Sequence, residues 1–233
     1  MSFVLTPPPI PSVPVKGTDD QYAVHRIYCV GRNYVEHAIE MGHSGREAPF
    51  FFLKPADTVL AVPEGTVGHM RYPSLTQSLH HEIELVAAIG KGGRDIAAAD
   101  ALSHVWGYGV GLDMTRRDLQ NEAKKLGRPW SIGKGFEQAA PIGPLTRAED
   151  CKLGPETAIT LDVNGAVRQE SVLGKLIWSV AEIIEHLSIA WDLAPGDLIY
   201  TGTPAGVAAV VAGDTLKGRI DGLGTLEVKI VAE

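Results

Sequence analysis

His80-His81-Glu82-Ile83-Glu84-Leu85-Val86-Ala87-Ala88-Ile89-Gly90 alternates in a way that suits a strand better than a helix. His81, Ile83, Leu85, Ala87 and Ile89 fall on one face, which leaves Glu82 and Glu84 together on the other. Two carboxylates on one strand face repel each other, and a hard cation that accepts oxygen ligands relieves the repulsion. A solvated strand face is the ordinary alternative for an isolated Glu-x-Glu.

A second acidic residue arrives downstream. Val105 to Leu112 reads as a glycine-interrupted strand that delivers Asp113 just ahead of a helix running from Thr115 through Lys125 to a stop at Gly127. Asp113 suits a metal ligand or a helix cap. Arg117 and Gln120 follow it by four and seven residues on one helical stripe, where a charged donor and an amide can face a carboxylate substrate. Arg116 and Asp118 read as surface or structural charges.

Upstream, Asn33, Glu36 and Gly42 bracket a short helix over 34–41, on which His37 and Glu40 lie three residues apart and project from one side. A carboxylate beside an imidazole raises its basicity, as activation of water requires, although a surface ion pair has the same spacing. The remaining histidines show no comparable spacing and read as structural or surface residues. Trp130-Ser131-Ile132-Gly133-Lys134-Gly135 sets one lysine between glycines. Near a bound dication its ammonium can stabilise an oxyanion; a plain loop lysine is the alternative. Tyr200-Thr201-Gly202-Thr203-Pro204-Ala205-Gly206 lets backbone N–H groups and Thr203 approach a carboxylate.

The rest of the chain reads as short β-like runs punctuated by 26 Gly and 15 Pro. Asn164-Gly165 between Thr157–Val163 and Ala166–Ser171 predicts a hairpin, and Asp214–Ile220 with Thr225–Val231 predicts another. Helices are expected over 180–191, behind Ser179 and Glu182, and over 95–103. Many strands and few helices without a βαβ rhythm imply a mixed α+β, mainly β fold and exclude a doubly wound sheet. The prolines at 7, 8, 9, 11 and 14 make residues 1–20 an extended arm, ahead of a single domain over 21–233.

Bulk properties narrow the partners. Lys and Arg total 21 against 28 Asp and Glu, a formal charge of -7, so the footprint of a nucleic-acid binder is missing. Only Cys29 and Cys151 are present, which favours neither a disulfide framework nor a thiolate zinc site and suits a reducing cytoplasm. No apolar run is long enough to span a bilayer, so no membrane association is expected.

Taken in order, several segments resemble the fumarylacetoacetate hydrolase family, in its compact acylpyruvate-hydrolase branch. They are Cys29-Val30-Gly31-Arg32-Asn33-Tyr34 with His37 and Glu40, Phe51-Phe52-Leu53-Lys54-Pro55, Glu82-Ile83-Glu84-Leu85, Asp113 through Gln120, Lys134, Pro141-Ile142-Gly143-Pro144, and Gly202-Thr203-Pro204-Ala205-Gly206. The resemblance implies a β-roll of mixed sheets with a few short helices, assembled as a homodimer. It implies Mg2+ or Mn2+ held by Glu82, Glu84 and Asp113, and a small 2-oxo or 2,4-dioxo carboxylate as substrate. By the same analogy His37, paired with Glu40, activates water, Lys134 stabilises the pyruvate enolate left by carbon-carbon cleavage, and Arg117, Gln120, Thr203 and Lys54 contact substrate.

Larger members carry a further metal carboxylate seven residues before the histidine, where this sequence has Val30. The implied reaction is hydrolysis of an acylpyruvate, with fumarylpyruvate from aromatic-compound catabolism as the specific expectation. The alternatives are oxaloacetate decarboxylation, a hydroxymuconate-type isomerisation or decarboxylation, and a non-catalytic binding protein that keeps the metal for stability.

Overall fold

The computed structural model describes residues 3–34 and 46–232, and the stretch quoted above runs through the middle of its largest sheet. Strand Ile83–Ile89 pairs antiparallel with Val105–Leu112 on one side and Leu198–Tyr200 on the other. Ile27–Gly31 and Phe50–Lys54 extend this sheet one way, and Ala140–Ile142 and Val59–Ala61 extend it the other. A second sheet of five strands runs, in order, Ala166–Val172, Ala158–Val163, Thr215–Ile220, Gly224–Val231 and Gly68–Arg71. Both of these sheets contain parallel as well as antiparallel pairs, so the mixed, mainly β expectation holds.

Burial on both faces explains why Ile83–Ile89 is so apolar. Ile83 and Leu85 pack with Val110 and Leu112 against Leu161, Leu216 and Val228 of the second sheet. Farther along the same face, Ala87 and Ile89 meet Ile183, Ile184 and Leu187 of helix Val180–Ala190. Val86 and Ala88 cover the opposite face with Cys29 and Tyr200. Each buried Leu or Ile contributes about 1.5–3 kcal/mol, which fixes the strand register. With the later even positions apolar, the polar ones are confined to its beginning, at Glu82 and Glu84.

Helix Val180–Ala190 forms as its start signal predicts: the Ser179 hydroxyl accepts the Glu182 N–H, and the Glu182 carboxylate accepts the Ser179 N–H. Ser179→Ala is expected to cost about 1 kcal/mol. A thermal melt followed by circular dichroism should register this as a loss of roughly 2–4 °C. Asn164 and Gly165 both adopt positive φ, 54° and 80°, the turn geometry that closes the expected hairpin.

Two helix expectations need correction. The helix after Asp113 begins at Arg117, because Thr115–Arg116 pairs instead with Leu79–His80 as a short strand; it then ends at Gly127 with φ 62° as expected. Over 95–103 only Ala98–Ala101 is α-helical, followed by a 3-10 turn at Leu102–His104. Asp95 has φ 48°, outside the right-handed helical region, so no helix can run through it; its N–H and that of Ile96 donate to the Ser188 carbonyl and hydroxyl, which hold this turn in place.

Residues 3–10 are exposed, whereas Ser12–Pro14 pairs with Gln21–Ala23 and buries Val13 completely. The segment around residue 20 is the turn between those two strands. The expected helix over 34–41, with His37 and Glu40, lies outside the described residues except for Tyr34. The Asn33 side chain, its expected cap, accepts the Trp178 N–H and donates to the Trp178 and Thr201 carbonyls. Among the described residues no helix is long and apolar enough to cross a membrane.

Candidate metal centre and active site

The register Ile83 to Leu112 and Glu84 to Gly111 brings the start of one central strand beside the end of its neighbour. The Asp113 N–H donates to the Glu82 carbonyl at 2.9 Å and holds the two chain ends together. As a result Glu82, Glu84 and Asp113, 29 or more residues apart across the two strands, place carboxylate oxygens within 4.8 Å of one another. Their exposures are only 6%, 2% and 1%. Buried carboxylates in such numbers require compensating charge.

Part of that charge comes from the chain itself. Lys134 Nζ lies 2.8 Å from Glu82 Oε2 and 2.7 Å from Asp113 Oδ2, and Arg117 pairs with Glu82. Lys134 is carried by a one-turn helix, Ser131–Lys134, not by the plain loop the glycines permitted. Lys54 Nζ sits 2.8 Å from Asp113 Oδ1 as an ion pair but donates its hydrogen bonds to the Met114 and Lys134 carbonyls. Asp113 Oδ1 is consequently close to a cation yet accepts no aligned hydrogen bond.

Protonation differs among the acids. Burial pushes Glu82 up, but Lys134 and Arg117 outweigh it and hold this carboxyl well below the usual range. Burial, then the charges of Asp113 and Glu82, push Glu84 well above its ordinary value, opposed by the Gly202 N–H and the more remote Lys134. Burial alone depresses Lys134, yet Asp113 and Glu82 overcome it and keep the ammonium charged. The cluster is therefore short of positive charge at Glu84, and Asp113 Oδ1, paired with Lys54, still accepts no hydrogen bond. An all-oxygen donor set with those two features fits a hard divalent cation.

Gly202 supports Glu84 directly, donating its N–H to Oε2 at 2.7 Å. Its φ is 100°, and a Cβ there would lie 2.7 Å from Asn33 Cβ. Gly202→Ala is expected to destabilise by about 1–3 kcal/mol and to weaken the hydrogen bond to Glu84. A denaturant titration checks the stability loss, and an unchanged midpoint would remove the steric argument.

The cleft beside the carboxylates is lined by Arg117, Gln120, Lys134, Thr203 and Val30. Gln120 is buried and accepts a hydrogen bond from Arg117. The Thr203 hydroxyl donates to the Ile83 carbonyl and accepts from Gln169, so it ties the 202–206 loop to the central strand. Lys54 packs behind Asp113 and does not line the cleft. Arg116 and Asp118 have structural contacts: Arg116 reaches the Ile132 carbonyl, and Asp118 accepts from Thr76 and the Gln77 N–H. His37 and Glu40 lie outside the described residues.

Gln169 escaped the sequence reading. Its Oε1 accepts the Ile83 N–H and contacts His81 Nδ1, while its Nε2 donates to Thr203 and the Pro204 carbonyl. It thereby joins the outer sheet, the acidic strand and the 202–206 loop. The available signal was a glutamine at an inward position of a strand whose charged residues, Arg168 and Glu170, face outward.

These features define a candidate oxygen-donor metal site at the edge of a buried cleft in a mixed β scaffold. Residues 26–231 match the family described as fumarylacetoacetate (FAA) hydrolase C-terminal, and the chain belongs to the fumarylacetoacetate hydrolase family. It is similar to a fumarylpyruvate hydrolase of Ralstonia sp, 44% identical with 79% of this chain and 93% of the relative covered. It is also similar to a mitochondrial oxaloacetate tautomerase of Homo sapiens, 39% identical with 88% and 90% covered. A crystal structure of fumarylpyruvate hydrolase from Pseudomonas aeruginosa in complex with Mn2+ and pyruvate superposes with a TM-score of 0.97, at 53% identity over 100% of both chains.

Proposed function

We propose that this chain hydrolyses a carbon-carbon bond in a 2,4-dioxo carboxylate, an acylpyruvate of the fumarylpyruvate type, releasing pyruvate and a second carboxylic acid. The observation that carries the reading is the convergence of Glu82, Glu84 and Asp113 in one buried cluster, with Lys134 paired to two of them. The relatives named for fumarylpyruvate hydrolysis support the substrate class.

Glu82, Glu84 and Asp113 would hold Mg2+ or Mn2+. The bound cation supplies positive charge that polarises a 2-oxo group and favours its enolate. Lys134 adds a fixed ammonium beside the same position, in a site dry enough for it to act at full strength on negative charge developing on the substrate. Arg117 and Gln120 present a guanidinium and an amide from one helical stripe to the substrate carboxylate. His37 acts as the base that removes a proton from the attacking water, with Glu40 orienting its ring. Thr203 contributes by holding the loop that presents the Gly202 N–H to Glu84, and Lys54 by neutralising Asp113. The catalytic unit is a single domain over 21–233, working in the cytoplasm as a homodimer, which light scattering would test.

Incubating the protein with fumarylpyruvate and with oxaloacetate, each with Mn2+ or with a chelator, separates the reactions by their products. Pyruvate with fumarate, lost on chelation, is the expected result. Pyruvate with carbon dioxide from oxaloacetate, and none from fumarylpyruvate, would instead identify a decarboxylase. The similarity to an oxaloacetate tautomerase makes keto-enol exchange of oxaloacetate, followed by ultraviolet absorbance, the competing activity to measure.

A further inference from the structure

The cleft holds more positive charge than its own acids use. Three carboxylates and four cationic side chains line it: Arg117 and Lys134 are paired with the acids, whereas Arg32 and Lys124 form no ion pair among the described residues. Arg32 Nε is buried and has no hydrogen-bond partner. An unpartnered buried guanidinium nitrogen is costly and marks a place that a ligand can satisfy. Lys124 lies in the same field: burial, then the charges of Arg117 and Arg32, bring its pKa down to about 8.

A row of aromatic rings links both cations to the carboxylate cluster. Lys134 Nζ lies 5.0 Å from the Phe52 ring, and Phe52 lies 5.5 Å from Trp130. Trp130 in turn carries Lys124 Nζ at 5.2 Å and meets Phe50 edge-on at 5.4 Å, and Phe50 carries the Arg32 guanidinium at 5.4 Å. Anionic groups at the two ends of one extended molecule could therefore be met separately, one by the acid-cation cluster and one by this aromatic shelf.

The backbone also fixes Arg32 in place. Gly31 ends a strand paired with Phe50, Arg32 itself adopts φ 58°, and the next side chain, Asn33, is locked by three hydrogen bonds. A left-handed non-glycine residue at the edge of a cleft persists only where its surroundings hold it, and here the side chain is directed over the Phe50 ring.

We propose that Arg32 and Lys124 form a second-anion subsite that binds the distal carboxylate of a dicarboxylic oxo acid, and so select diacid substrates over those ending in an alkyl group. This rests on the oxo-acid reading of the site but not on the bond that is cleaved. Two charge-assisted contacts replace the water lost from a distal carboxylate, and an alkyl end cannot supply them.

The test is calorimetric titration of the Mn2+-loaded protein with 2-oxoheptanedioate and with 2-oxoheptanoate, which have equal length and differ only in the distal group. Neither has a 4-oxo group to support cleavage, so the readout is binding alone. The wild type should prefer the diacid by about 30-fold, and Arg32→Met and Lys124→Met should each cut that ratio to about 5-fold or less. A wild-type ratio near one, failure of the diacid to bind, or an undiminished ratio in the variants would overturn the proposal. If circular dichroism shows Arg32→Met to be unfolded, Lys124→Met decides the matter alone. Should the diacid preference behave as expected while fumarylpyruvate is not hydrolysed, the reaction assignment fails and the subsite stands.

Discussion

Glu82→Gln is expected to lower Mn2+ affinity roughly 100-fold or more in a calorimetric titration, a larger loss than changes around metal ligands usually cause. Glutamine keeps the size of the side chain but removes the charge from an acid that Lys134 and Arg117 hold firmly ionised. It also leaves Arg117 and Lys134 facing an amide, with Lys134 retaining Asp113 as its remaining acidic partner. Breaking a buried pair from one side typically costs about 3–5 kcal/mol, so the metal-free variant should melt well below the wild type. The two readouts have different causes and can be separated. A titration matching the wild type would remove Glu82 from the ligand set even if the melting temperature falls.

His37→Ala is expected to reduce turnover of fumarylpyruvate by about 10²–10⁴-fold, the usual contribution of a positioned general base. Mn2+ affinity should stay within about 3-fold of the wild type, because the proposed ligands are Glu82, Glu84 and Asp113 and the proposed role of His37 is to act on water. Single-turnover kinetics with saturating metal isolates the chemical step. A wild-type rate in that experiment eliminates His37 from the mechanism, and a parallel loss of metal affinity would move it into the coordination sphere.

The strand and hairpin signals were legible because they are local. Period-two alternation places Ile83 and Leu85 inward wherever a sheet forms, and Asn164-Gly165 needs only its own φ preferences to turn. The capping box at Ser179 and the glycine stop at Gly127 are equally short-range. Where local signals failed, a distant partner had intervened. Ser188 holds the 95–96 backbone in a turn in which Asp95 has the non-helical φ of 48°, and Leu79–His80 drew Thr115–Arg116 into a strand.

The same division runs through the site. By itself the sequence determined that Glu82 and Glu84 share a strand face, that Asp113 closes the following long strand, and that the chain is a mixed β protein of the fumarylacetoacetate hydrolase family. Those properties depend on residue order and spacing, which need no folded context. Only the tertiary structure decided that Lys134 neutralises two of the acids, that Lys54 stands behind Asp113, that Gln169 binds the outer sheet to the 202–206 loop, and that Arg32 and Lys124 form no ion pair among the described residues beside an aromatic shelf. Pairing of charges depends on which side chains come within a few ångströms across sheets and loops, and on how much water is excluded there. Neither quantity is encoded in any short stretch of the chain.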